Sequence, residues 1–366
     1  MKKKYFNIFA IVTVISFSLS PLLALAQTTS SVDTMLTRDS SGGANPIVKA
    51  KWEMNSTKGT DQKYLGTDAA TTAGAQFMPS GQYQVGKTIT VCGIVTDPDG
   101  VADIDNVYSD VFYPVDISTG PNHEPNRLGC GQQLPEFTLT KLSKADGIEL
   151  FCNKIKNNNN NLPTFNEGYG YSEICALDGE LWKETAYAFC GEITLSYEDP
   201  SGSYNTQVLA QDKSGKDGML TNTFTYLPLT AFEADFNSVA YGNVRLNTHK
   251  IISGDLNYSP NDGRATVRNI GNTRLSMKVW QNDMGLSQTD GQWNVKYDGR
   301  VGSSAEFANY WPETTKTLTE SLNLSQTNEM DFSVTITKFP PNHDGDNYVG
   351  NMVLSATPVA HLTCAI

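Results

Sequence analysis

The segment KTITVCGIVTDPDG, residues 87–100, decides the fold class of this chain. Its residues alternate in polarity, with Ile89, Val91 and Val95 on one side and Thr88, Thr90 and Cys92 on the other. Such alternation predicts a strand with one face on a core and one in solvent. The strand runs into a strong turn at residues 96–100, and residues 107–115 are predicted to form the next strand.

Short strands and Gly/Pro/Asp turns continue along the chain. Alternating segments at 193–197, 204–210 and 224–227 are separated by turns at 199–202 and 212–215. This spacing predicts an antiparallel β-sandwich over residues 81–235.

Residues 236–366 show the same alternation and predict a second sandwich. Its first strand is predicted at 239–246, and a turn at 270–273 follows the strand at 265–269. Clear alternation marks three further strands, at 275–279, 332–336 and 352–356. The sequence therefore predicts an all-β protein with two sandwiches in tandem.

The pattern is lost at about 116–187, which we interpret as an irregular insertion into the first sandwich. A helix is predicted at 139–153, with Ser143 as its N-cap. The asparagine run at 157–161 is predicted to be a solvated loop. Without a core of its own, this insertion is expected to depend on disulfides.

The N-terminus indicates export. Three lysines precede a largely apolar stretch that ends in Ala24-Leu25-Ala26, so residues 1–26 are predicted to be a cleaved signal peptide. An uncleaved membrane anchor is the competing interpretation. Residues 27–80 show weak periodicity and are predicted to be a flexible linker or stalk, with a short strand near Ile47 and Val48.

The six cysteines predict disulfides, because an even number in an exported chain is typical of cross-linking and no C-x-x-C zinc spacing occurs. Cys92 and Cys190 both lie opposite the inferred core positions of their strands. They are predicted to pair if these strands are neighbours. Cys152 and Cys175 are then the best pair within the insertion. Cys130 and Cys364 remain, either paired or free.

Two motifs resemble immunoglobulin-like modules of bacterial and archaeal surface proteins. The first is VTDPDGVADIDNV at 95–107, followed by the G-x-Y and D-K-S-G segments at 202–215. The second, ATVRNIGNTRLSMKV at 265–279, resembles adhesion-type sandwich domains. The resemblance implies two immunoglobulin-like sandwiches and a role in cell-surface adhesion, spacing or assembly. The cysteine-rich insertion departs from these modules, so their binding properties do not carry over.

One acidic cluster suggests a cofactor. Asp97, Asp99, Asp103 and Asp105 surround a glycine turn, and Asp212 joins them if the loops gather at one end of the sandwich. Carboxylate oxygens in this arrangement can bind Ca²⁺. The alternative is an Asx-type turn that needs no metal.

No motif for catalysis is found. The chain has no G-x-S-x-G, H-E-x-x-H or P-loop motif, and no pair of carboxylates is singled out by the sequence. A sugar-binding platform is an alternative role for Trp280, Trp293 and Trp311, whereas ordinary packing is the simpler interpretation. Trp280 is the best candidate because its strand parity places it opposite Leu275, Met277 and Val279.

The composition narrows the class of protein. The 366 residues carry a net charge of −12, with 18% charged residues, which argues against nucleic-acid binding and against an acidic disordered chain. The sequence predicts a noncatalytic structural or adhesion-type protein of the cell surface, whose partners are itself, other envelope proteins or surface glycans. A secreted glycan-binding protein or polysaccharide-acting enzyme is the alternative. Contact with the membrane is expected only through the signal peptide.

Overall fold

The computed structural model describes residues 43–55, 75–113, 136–157, 163–260, 262–341 and 347–359. Strands dominate these residues, which confirms the all-β class. The predicted signal peptide, most of the predicted stalk, Cys130 and Cys364 lie outside them. Within the described residues, the structure has no helix that is long and apolar enough to cross a bilayer.

Ten strands lie in the N-terminal half of the described chain: β1 (Ile47–Asn55), β2 (Ala75–Phe77), β3 (Lys87–Thr96), β4 (Ile104–Phe112), β5 (Phe137–Thr138), β6 (Thr140–Lys141), β7 (Thr164–Phe165), β8 (Ala186–Leu195), β9 (Gly202–Asp212) and β10 (Asp217–Tyr226). The helical segments are a 3₁₀ turn (Val101–Asp103), α1 (Lys144–Gly147) continuing into a π-helix (Ile148–Ile155), α2 (Tyr171–Cys175) and α3 (Glu180–Lys183).

The C-terminal half of the described chain contains β11 (Phe232–Ala234), β12 (Lys250–Ile252), β13 (Thr266–Asn269), β14 (Arg274–Gln281), β15 (Gln288–Thr289), β16 (Gln292–Trp293), β17 (Val295–Val301), β18 (Ala308–Tyr310), β19 (Lys316–Leu322), β20 (Thr327–Ile336) and β21 (Met352–Val359).

Two sheets in the N-terminal half face each other. The first has the order β6-β8-β3-β1-β7 and the second has the order β2-β10-β9-β4-β5. One hydrophobic cluster includes residues of both sheets, among them Val91 of β3, Val208 of β9 and Phe224 of β10. Burial of these apolar faces against each other is what holds the two layers together.

The segment predicted as a linker at 27–80 includes two strands of these sheets. The short strand expected near Ile47 and Val48 is the start of β1, which continues to Asn55, so the linker interpretation is wrong for residues 49–55 and 75–77. β1 pairs with β3 and β7, and β2 pairs in parallel with β10. Lys49, Lys51 and Glu53 of β1 are all buried. Because charged residues are rarely buried, the sequence of β1 is typical of an exposed segment.

The insertion packs on the outer face of the first sheet, so its apolar residues share a core with that sheet instead of forming a core of their own. Trp52 and Ile94 of the sheet share a second hydrophobic cluster with Phe151 and Ile174 of the insertion. The helix begins at Lys144 rather than 139, because β6 precedes it. Ser143 is its N-cap, as predicted, and its Oγ accepts a hydrogen bond from the Asp146 N–H at 3.1 Å.

Among the described residues, two disulfides occupy the positions that the sequence favours. Cys92 and Cys190 lie directly opposite each other on β3 and β8, on the face covered by the insertion. Cys152 and Cys175 join the π-helix to α2 inside the insertion. One disulfide therefore cross-links two strands of the first sheet, and the other cross-links two helical segments of the insertion.

The C-terminal strands form a separate pair of sheets. One has the order β11-β13-β20-β17-β18, with β12 also pairing with β20, and the other has the order β19-β14-β21. A third hydrophobic cluster contains residues of both, including Met277 of β14 and Phe332 of β20. The strand predicted at 239–246 is absent from this described segment, where Gly242 has a φ of 64° that interrupts extended geometry.

Asn272 joins the C-terminal sheets to the chain that precedes them. Its fully buried side chain donates to the Leu227 carbonyl at 3.0 Å and accepts from the Leu229 N–H at 2.8 Å. The backbone carbonyl of Asn272 also accepts a hydrogen bond from the Ser201 N–H at 2.9 Å. Gly271 is required beside it, because a Cβ at this position would overlap the Leu229 carbonyl.

Candidate metal site and exposed tryptophans

The turn after β3 brings three carboxylates together. One oxygen of each of Asp97, Asp99 and Asp103 lies within 4.8 Å of the others. The turn is closed by backbone hydrogen bonds from Gly100 to Asp97 and from Asp103 to Gly100, at 2.9 and 2.8 Å. Gly100 has a φ of 109°, a conformation that side chains disfavour, so glycine allows the chain to curl around the carboxylates.

Asp97 is the central member of this cluster. Its side chain is only 4% exposed, and its Oδ1 accepts a hydrogen bond from the Asp99 N–H at 2.8 Å. Its Oδ2 is buried and has no hydrogen-bond partner among the described residues. A buried carboxylate oxygen without a partner is unfavourable unless a cation or proton satisfies it.

The electrostatics of the turn disfavour three negative charges. Burial raises the pKa of the Asp97 carboxyl, although the hydrogen bond from Asp99 opposes the shift. The nearby charges of Asp103, Asp99 and Asp212 raise that pKa further. A divalent cation would reverse these effects, because it favours the charged form of each carboxylate.

Asp212 and Asp105 are not members of the cluster. The Asp212 carboxylate accepts hydrogen bonds from Ser214 and Lys216 within its own turn, and its Oδ1 and Oδ2 are each 2.8 Å from the Ser214 Oγ. Burial pushes the pKa of Asp212 upwards, but these hydrogen bonds outweigh burial and leave the pKa below its usual value. Asp105 is exposed and accepts from Asn106 at 2.8 Å.

The three candidate tryptophans lie on different elements. Trp280 is half-buried on β14, opposite the buried Leu275, Met277 and Val279, in the parity that the sequence predicts. Trp293 is half-buried on β16. Trp311 follows β18 and is 47% exposed, with the Lys296 ammonium 5.9 Å from its ring centre. Trp280 faces away from its core beside Val353, its partner on β21, which is 52% exposed.

A buried group of polar residues between β1 and β10 was missed by the sequence reasoning. It consists of Lys51, Glu53 and Asn222. The useful signal was the alternation of Ala50, Trp52 and Met54 through β1, which places the two charged residues on the opposite, inward face.

Comparison of the sequence with models of protein families finds no match, and no curated protein matches it. The solved structures that are similar include a secreted serine protease VesC from Vibrio cholerae (10% identity, TM-score 0.17, covering 82% of this chain and 52% of that one). They also include a carbohydrate-binding module of the β-sandwich superfamily (9% identity, TM-score 0.16, covering 76% of this chain and 92% of that one). A third is the C-terminal domain of the Streptococcus pyogenes antigen I/II-family protein AspA (10% identity, TM-score 0.21, covering 86% of this chain and 97% of that one). The chain spans about half the length of the protease. Similarity at this level identifies neither a family nor a function.

Proposed function

We propose that this chain is a noncatalytic structural or adhesion-type protein of the cell exterior, built from two immunoglobulin-like sandwiches in tandem. The two disulfides support an exported protein, because such bridges persist in oxidising compartments. The two sets of paired sheets, each with its own hydrophobic cluster, support the tandem arrangement.

The observation that carries this proposal is the bonded junction between the two sets of sheets. Besides the hydrogen bonds of Asn272, the Arg268 guanidinium of β13 lies 3.9 Å from the centre of the Tyr83 ring. Glu233 of the neighbouring strand β11 holds this guanidinium by accepting a hydrogen bond from the Arg268 Nε at 2.7 Å. These hydrogen bonds and the Arg268–Tyr83 contact restrict rotation between the N-terminal and the C-terminal sheets. Restricted rotation suits a protein that holds a defined spacing at a surface.

The location of the native protein tests the proposal. Immunogold labelling of whole cells and fractionation of the envelope are expected to place the protein on the outer surface or in the envelope fraction. Recovery of the protein in the cytosol, or a hydrolytic activity on envelope polysaccharide, would contradict it.

We also propose that Asp97, Asp99 and Asp103 bind Ca²⁺. The observation favouring this is the unpartnered, buried Oδ2 of Asp97 beside two further carboxylates. Ca²⁺ takes several oxygen ligands, and extracellular modules bind it with dissociation constants of about 0.1 to 1 mM.

Calcium at 10 mM is expected to stabilise the wild-type chain by about 1.5 to 3 kcal/mol, since the ion binds the folded state. Thermal melting with calcium and with chelator measures this. Asp97→Asn should abolish the calcium effect without lowering the midpoint in chelator, because burial disfavours the charged carboxylate. Asp105→Asn, in the exposed position nearby, is the matched control. A wild-type midpoint that calcium does not move would refute the site.

Glycan binding is the second candidate function, favoured by the half-buried Trp280 beside the exposed Val353. Trp280→Ala is expected to weaken binding to polysaccharide extracted from the native envelope by up to about tenfold, through loss of ring stacking. Isothermal titration calorimetry measures it. Trp182→Ala is the control, because Trp182 is 39% exposed on α3 of the insertion. Failure of the wild-type chain to bind would exclude this alternative.

A further inference from the structure

Lys51, Glu53 and Asn222 form a closed ring of polar contacts between the first two sheets. The Lys51 Nζ contacts both the Glu53 Oε1 and the Asn222 Oδ1. The Asn222 Nδ2 in turn donates to the Glu53 Oε2 at 2.9 Å. The two oxygens of the Glu53 carboxyl group therefore have different partners: Oε1 contacts the Lys51 amine, and Oε2 accepts from the Asn222 amide nitrogen.

The ring lies in an interior, largely apolar position. Lys51 is fully buried and Glu53 is 1% exposed. Their partners on β3 are Gly93 and Val91, the latter a member of the core between the sheets. Asn222 reaches this space from β10 of the opposite sheet and is half-buried.

The backbone holds the two sides of the ring close together. Gly218 of β10 packs against the residues that lead into β1, and a Cβ at this position would overlap the Pro46 carbonyl. Lys51 and Asn222 thus face each other from two strands that lie close together. Fixed reactants can react as if at very high concentration.

The environment favours a nucleophilic lysine. Burial lowers the pKa of the Lys51 amine, although the neighbouring Glu53 carboxylate opposes part of that shift. A neutral amine can attack a carbonyl carbon, whereas an ammonium group cannot. The Asn222 Cγ is one bond, about 1.2 Å, from the oxygen that the amine contacts.

We propose that Lys51 and Asn222 become joined by an intramolecular amide bond, with Glu53 as the acid–base catalyst. This inference does not depend on the proposed function. It assigns a covalent modification to residues that otherwise form a buried ion pair, an arrangement that by itself stabilises proteins little.

The reaction needs no cofactor or other reactant. The Lys51 Nζ attacks the Asn222 Cγ and gives a proton to the Glu53 Oε1, forming the new N–C bond. The Glu53 carboxyl then turns so that the same proton passes from Oε1 to the Asn222 Nδ2, the Cγ–Nδ2 bond breaks, and ammonia leaves. Glu53 is regenerated, and the products are one amide and one ammonia. Transfer of a proton by a positioned carboxyl is ordinary acid–base catalysis.

Mass spectrometry of the full chain, denatured and reduced, tests the proposal. The wild-type chain is expected to lack the mass of one ammonia molecule and to yield, on digestion, a branched peptide that links Lys51 to Asn222. A chain that begins at Gln27 also loses ammonia when its N-terminal glutamine cyclises, so the branched peptide is decisive. Its absence from the wild-type digest, or a link between other residues, would overturn the proposal.

The variants separate the roles of the three residues. Lys51→Ala and Glu53→Gln should each retain the mass of that ammonia and give no branched peptide. Lys49→Ala is the matched control, because Lys49 is another buried lysine of β1 but pairs with Glu180, and it should keep the link. Since the mass is measured on denatured chains, poorly folded variants remain readable. A link that survives Glu53→Gln would refute the catalytic role of Glu53.

Discussion

Replacing Cys92 and Cys190 together with alanine is expected to lower the free energy of unfolding by about 4 kcal/mol. The bridge joins residues 98 positions apart, so its loss releases a long loop in the unfolded chain. It also removes two sulfur atoms from the cluster beneath the insertion. Urea unfolding under oxidising conditions measures the change.

The Cys152 and Cys175 pair provides the internal comparison. It closes a segment of only 23 positions, so replacing both residues with alanine should cost about 3 kcal/mol. We also expect this second change to loosen the insertion before the sheets, visible as faster proteolysis within 144–183. A larger loss from this pair than from Cys92 and Cys190 would contradict the loop argument.

Glu53→Ala is expected to lower the free energy of unfolding by about 3 to 5 kcal/mol, because it leaves the Lys51 amine buried without its carboxylate. Loss of the proposed amide would add to this effect. Thermal and urea unfolding measure it. Glu192→Ala, at an exposed position of β8, should change stability by less than about 0.5 kcal/mol.

A double replacement refines this expectation. Lys51→Met combined with Glu53→Leu removes both charges and keeps similar volume, so it should recover part of the stability lost in Glu53→Ala. If Glu53→Ala is as stable as the wild-type chain, the buried ring contributes little and the structural argument for it fails.

Strand alternation predicted much of the fold. It located β3, β9, β14, β20 and β21 closely, because each of these strands has an apolar side on a core, whereas the segment at 193–197 overlaps only the end of β8. The same parity placed Cys92 and Cys190 on one face of the sheet. The N-cap role of Ser143 was readable because capping depends on local sequence.

The rest depended on contacts between distant segments. β1 falls within the predicted linker because its buried lysines depend on partners far along the chain: Lys49 contacts Glu180, and Lys51 contacts Asn222 as well as the nearby Glu53. The sequence groups Asp212 with the acidic turn, but the turn that contains Asp212 supplies its hydrogen bonds. Asp97 could be identified as a candidate, whereas its unpartnered oxygen required the folded turn.

The positions of β1 and β10 have a mechanical consequence. β1 is the first strand of the N-terminal pair of sheets, and β10 is the last before the chain passes to the C-terminal strands. A pulling force along the chain would enter this region through one and leave through the other. An amide between Lys51 and Asn222 would carry that force directly across, so that residues 52–221 would stay folded under tension that extends the chain on either side.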